Sequence, residues 1–157
     1  MIGDPKAIQE AGLNWSEQRH ACLSQAACLL GASDEMARDF VAQGATVLGG
    51  FPLHVLAMAQ GDGPWLACMK LARPEGVGEA AWSQALLVAN AQTMMMDDWA
   101  FGLEDDGNGV LLMQLPEDLH DARFLSARLE GMLTMCKSVV AGADAIRLML
   151  SSAEVKA

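Results

Sequence analysis

Between Asp121 and Leu150 the apolar residues Leu125, Leu129, Met132, Cys136, Val139, Ala143, Ile146 and Leu150 recur at alternating steps of four and three. That spacing keeps one side of a helix apolar along its whole length. A helix over this span is about 45 Å long, so the rest of the chain has to supply an apolar platform of comparable length.

The period changes upstream in a way that suits such a platform. Thr46-Val47-Leu48, Leu53 to Ala59 and Trp65 to Ala72 are bounded by Gly49-Gly50 and Gly61-Asp62-Gly63, which predicts three consecutive antiparallel strands. In the second of these, Leu53, Val55, Ala57 and Ala59 share one face and His54, Leu56 and Met58 the other. Both faces are largely apolar, so both call for cover. Trp99, Phe101 and Leu103 alternate with Ala100, Gly102 and Glu104, and the turn Asp105 to Gly109 leads to Val110 to Leu115, a hairpin closed by Pro116.

Two further helices are expected. Residues 16–31 place Leu23, Ala27 and Leu30 at helical spacing, with Ser16 as cap, Glu17 in the first turn and Gly31 at the end, and an irregular continuation through Asp39. Residues 79–93 carry Trp82, Leu86, Ala89 and Thr93 on one stripe, with Ala85 and Val88 beside it. The order is therefore helix, three strands, helix, two strands, helix. Clustered strands of this kind make an α+β fold with an antiparallel sheet flanked by helices. Residues 1–157 read as a single domain, with residues 1–15 and 151–157 as flexible ends.

Charge narrows the partners. The chain carries a net charge of −10, and between Pro74 and Ala122 there are ten acidic residues and no Lys or Arg. Nucleic acid and anionic membranes are poor partners for such a surface. The first residues lack the basic and then apolar pattern of a secretory signal, and no apolar run is long enough to span a membrane, which places the chain in the cytosol. Cys22, Cys28, Cys68 and Cys136 form no CxxC pair and sit in apolar patterns, in keeping with a reducing compartment. With 52% apolar residues, 5% aromatics and eleven Met, the core is adaptable rather than rigidly keyed.

Motifs that could carry chemistry fall short. Gly76-Val77-Gly78-Glu79-Ala80-Ala81 matches a GxGxxA dinucleotide fingerprint, but Arg73-Pro74-Glu75 separate it from the strand, and Asp97 and Asp98 precede the next strand instead of following it. Glu104, Asp106, Asn108 and Gly109 fall on four positions of a calcium loop, yet its twelfth position is Leu115 and its flanks are strands, so a hairpin turn is the better reading. His20 and Cys22 lie near Cys28 without a second pair at zinc spacing, and His54 and His120 stand alone. Asp97-Asp98 and Asp105-Asp106 read as a solvated rim. Met94-Met95-Met96, beside a turn, either packs in a core or covers a partner. No catalytic residue, metal or cofactor is expected, and the chain reads as a non-enzyme.

From Trp82 to Ile146 the chain resembles the class I type III secretion chaperones, the Tir-chaperone family. The resemblance rests on the helix end Leu86-Leu87-Val88-Ala89-Asn90-Ala91, the hairpin strands Trp99 to Glu104 and Gly109 to Pro116, then Asp118-Leu119 and the long helix. It implies the α-β-β-β-α-β-β-α order and a homodimer built on the second helix and its neighbouring strands. It also implies surface patches that bind the N-terminal segment of a secreted effector and keep it soluble, partly unfolded and fit for export from the bacterial cytoplasm. The secretion ATPase is a further partner that such a role allows.

The residues give physical support to that picture, because a sheet with two apolar faces and a Trp-bearing stripe leave more apolar surface than one copy covers. Trp82, Leu86, Ala89, Asn90, Trp99 and Phe101 are the candidates for the dimer contact. Leu23, Ala27, Leu30, Leu53, Val55 and Leu56 are the candidates for effector-binding grooves between the first helix and first strands. Two alternatives stay open: a small nucleotide-binding enzyme using the Gly76–Ala81 turn, and a dimeric adaptor of the same fold unrelated to secretion.

Overall fold

A computed structural model describes residues 15–58, 63–95 and 98–154. Ala59, the Gly61-Asp62 part of the second turn, Met96, Asp97, residues 1–14 and residues 155–157 lie outside the described residues. The elements are α1 (Glu17–Leu29), α2 (Asp34–Gln43), β1 (Ala45–Leu48), β2 (Phe51–Ala57), β3 (Trp65–Leu71), α3 (Glu79–Thr93), β4 (Trp99–Leu103), β5 (Gly109–Leu115) and α4 (Ala122–Glu154). The expected α+β arrangement is present, with one helix more than the sequence suggested.

The five strands form one antiparallel sheet in the order β1-β2-β3-β5-β4, so β1 and β4 are its edges. The β1–β2 hairpin pairs Leu48 with Phe51 across Gly49-Gly50, which take φ of +56° and +90°. A two-residue type I′ turn, one of those that match strand twist, takes positive φ at both positions, and Gly supplies it without steric cost. β2 starts at Phe51 despite Pro52, because its pairing with β3 begins only at Leu53 and the missing N–H of Pro52 removes no bond from that ladder.

The helices cover the sheet face that carries Leu53, Val55, Ala67, Met69, Leu111 and Met113, all 2% exposed or less. The α4 stripe lies on this face, where Leu125, Leu129, Met132 and Cys136 are fully buried. Asp121 caps α4 by accepting hydrogen bonds from the N–H groups of Arg123 (2.9 Å) and Phe124 (3.2 Å). The helix continues through Glu154.

Two expectations at the N-terminal end change. Residues 31–39 are not an irregular continuation of the first helix. Gly31, at φ +91°, stops α1, and Ser33 restarts a helix by accepting from the N–H of Met36 at 3.2 Å, with Asp34 and Glu35 in the first turn. Trp15, expected in a flexible end, is 5% exposed and meets the Trp65 ring edge-on at 5.7 Å. Beside it, the buried Arg19 lies 4.7 Å over Trp65 and donates to the carbonyls of Gly63 (2.7 Å) and Glu117 (3.1 Å). This cluster ties the start of α1 to both the β2–β3 and β5–α4 connections.

Candidate interaction surfaces

Three surfaces stand out. The first is an apolar cavity of about 180 Å³ between α1, α2 and the edge strand β1, lined among others by Ala27, Leu30, Met36, Phe40, Val47 and Leu53. A buried apolar cavity of about 150 Å³ holds a benzene, so this one suits a single Leu- or Phe-sized side chain. β1 forms one wall and has no strand on its other side among the described residues. An extended segment lying along β1 therefore reaches both unpaired backbone groups and an apolar pocket.

The structure brings Ala27, Leu30 and Leu53 of the expected effector-binding set together in this cavity. Leu23 and Val55 sit deeper, in the core at 0% and 2% exposure. Leu56 points to the opposite face of β2 and takes no part in the groove. Sequence reasoning missed Met36 and Phe40, because α2 had not been recognised; their spacing of four behind Ser33 was the available signal.

The second surface is the outward side of α3. Trp82, Leu86, Ala89 and Phe101, expected at a dimer contact, are 0–5% exposed and belong to the core of a single copy. The Trp82 stripe faces the sheet, where a Cβ on Gly109 would stand 2.8 Å from the Trp82 ring and 3.1 Å from Leu86. Trp99 is half-buried, with the Arg128 guanidinium 5.1 Å over its ring. Asn90 bonds to the backbone of Phe101 within the same chain. The solvent side of α3 carries Leu87 and Val88, 68% and 51% exposed, and continues into Met94 and Met95 at 81% and 90%. Of the two readings of the Met run, exposure favours the covering of a partner for Met94 and Met95.

The third surface is the sheet face away from the helices. Leu56, Leu66, Val110 and Leu112 are half-buried there, and the Lys70–Glu104 ion pair, 3.1 Å, crosses it. His54 is on this face opposite Cys68. Burial first, and then the Lys70 charge, hold the His54 imidazole below its ordinary pKa, against a smaller opposing pull from Glu104. Burial pushes the Cys68 thiol up to about 11.

The remaining motifs have local roles. In the β4–β5 turn, Asp106 accepts from the backbone N–H of Asn108 (3.0 Å) and from its side-chain amide (2.9 Å). The calcium-like spacing is thus a hairpin turn. The Gly76 turn is closed by Val77 N–H donating to Pro74 O at 3.1 Å, and it carries Val77 into the core. Asp98 is not a plain rim residue, because it pairs with Arg128. Cys28 departs from the apolar pattern expected of the cysteines and is exposed, with its thiol 3.9 Å from Asp34 Oδ1. Among the described residues no group of three His, Cys, Asp or Glu side chains is placed to hold a metal, and no helix is long and apolar enough to cross a membrane.

No family model and no curated protein matches the chain. Solved structures do. A chain of the HopA1–SchA chaperone–effector complex superposes with a TM-score of 0.57 at 14% identity, over 79% of this chain and 94% of that one. The Yersinia pestis type III secretion chaperone SycH in complex with a stable fragment of YscM2 gives a TM-score of 0.52 at 16% identity, over 76% of this chain and 98% of that one. With its order of elements, its five-stranded antiparallel sheet and these neighbours, the chain has the fold of the type III secretion chaperones.

Proposed function

We propose that this protein is a secretion chaperone that acts as a homodimer in the bacterial cytoplasm and binds the N-terminal segment of a secreted effector. The observation that carries the reading is the apolar cavity beside the edge of β1, which no described strand covers. A site of this shape rewards an extended client, whose main chain pairs with the edge while alternate side chains fill the pocket. A client held in that way stays unfolded and soluble, and no chemistry is asked of the chaperone. Asp34 and Glu35 open α2 beside Met36 of the cavity wall, so a client with basic residues next to its apolar ones is favoured. The outward side of α3 is the surface offered to the second copy. The secretion ATPase remains a further partner in this reading.

Co-expression with the N-terminal region of an effector, followed by co-purification, tests it. The expected product is two copies of this chain with one client. Val47 is 61% exposed, so Val47→Asp leaves the fold intact, yet it should abolish capture by placing a charge in a dry contact. Undiminished capture by a folded Val47→Asp variant, or no client retained at all, would overturn the proposal.

A further inference from the structure

The margin of a sheet exposes a row of backbone N–H and C=O groups with which any extended polypeptide can pair, a further copy of the chain included. In an antiparallel pair these groups point toward the partner strand at every second residue and away from it at the others. This sheet has margins at β1 and β4, and they differ.

On β4 the central residue, Phe101, is already occupied on its outward side. Its N–H donates to Asn90 Oδ1 at 2.6 Å, and Asn90 Nδ2 donates to its carbonyl at 2.7 Å. A primary amide offers a donor and an acceptor side by side, as a peptide unit does. Asn90, in the last turn of α3, therefore stands where the residue of a sixth strand would stand. On β1 the Val55 N–H donates to Gly44 O at 2.8 Å, which fixes the ladder so that Gly44, Thr46 and Leu48 face β2 while Ala45 and Val47 face outward. No described strand or side-chain amide meets those outward groups.

We propose that Asn90 is an edge guard, a specificity-determining residue whose amide closes the β4 margin to strand addition, so that among the described strands β1 is the margin left open to an extended polypeptide. Other side chains fit the task less well. Aspartate accepts but cannot donate to the carbonyl, and alanine leaves both groups of Phe101 without a partner. The guard is a property of the chain itself; only the identity of what adds at β1 rests on the chaperone reading above.

Amide hydrogen exchange on the unmodified full-length protein, without any client, tests the asymmetry. The Phe101 amide should exchange about a hundredfold more slowly than the outward amides of Ala45 and Val47. Equal rates on the two margins would overturn the proposal. Asn90→Ala should then speed exchange at Phe101 and cause concentration-dependent association in sedimentation runs. Adding Ala100→Lys, a charge on the same exposed edge, should suppress that association, as edge lysines do. A folded Asn90→Ala protein that associates no more than the parent, or association that the added lysine leaves untouched, would equally refute the guard. None of these measurements involves an effector, so failure of the chaperone reading would be seen separately, as loss of client capture.

Discussion

His54 is a half-buried base on a largely apolar sheet face, and its position makes its charge a liability. Its folded-state pKa lies below the unfolded value of 6.5, so the unfolded chain takes up the proton first as pH falls. Stability from this residue is complete above pH 6.5 and declines as pH drops through the unfolded and then the folded pKa. The melting temperature should fall between neutral and mildly acidic pH, and His54→Gln should flatten the part of that slope due to the imidazole; an unchanged slope in the variant would remove His54 from the account. The cysteines give a second residue-scale test. Cys22, Cys68 and Cys136 are buried, whereas Cys28 is exposed. Burial pushes Cys68 and Cys136 up to about 11 and about 12, so neither offers thiolate at neutral pH. A disulfide reagent should titrate one thiol in the native protein and all four in denaturant. Asn90 shows the limit of legibility at this scale. The sequence singles it out only as part of the Leu86–Ala91 helix end and as a dimer-contact candidate, because its role depends on which strand edge comes to lie beside it, and no local pattern states that.

At the scale of elements, what the sequence discloses depends on how local the cause is. The α4 stripe is a repeat within one helix, and its members from Leu125 to Ala143 are the ones the fold buries, at 0–6% exposure. The hairpin of β4 and β5 was equally legible, since alternation and a turn rich in Gly, Asp and Asn are both short-range signals. The helix α2 was overlooked although its signals were present, a Ser33 cap, an acidic first turn and Gly44 at the C-terminal end with φ +63°. The break at Gly31 lies so close to Ser33 that the two helices read as one fraying segment. Buried and exposed positions of α4 make a paired prediction. Leu129 is fully buried and Leu148 is 58% exposed. Leu129→Ala should cost about 2–5 kcal/mol in urea unfolding and Leu148→Ala within about 0.5 kcal/mol of nothing. Similar losses at both positions would mean that α4 is packed on more than the one side.

At the scale of the whole molecule, the proposed dimer needs an apolar surface that a single copy leaves exposed, and the described residues offer more than one. The sequence could not decide, because both sides of α3 are apolar: Trp82, Leu86 and Ala89 on one, Leu87, Val88 and Ala91 on the other. Only tertiary packing separates them, by turning the first set onto the sheet beneath Gly109 and leaving Leu87 and Val88 more than half exposed. The two sides therefore answer differently to the same substitution. Leu86→Asp puts an unpaired carboxylate into the core, and the chain should fail to fold, with loss of helical circular dichroism and of soluble protein. Leu87→Asp combined with Val88→Asp places charges that water solvates in an isolated copy but that a dimer contact would have to desolvate. If the proposed dimer forms through this side, sedimentation should find the parent dimeric and this double variant folded and monomeric at the same concentration, since each buried unpaired charge costs several kcal/mol. If the double variant sediments as a dimer, the second copy sits elsewhere, and the apolar sheet face around Leu56 and Leu112 becomes the surface that it covers.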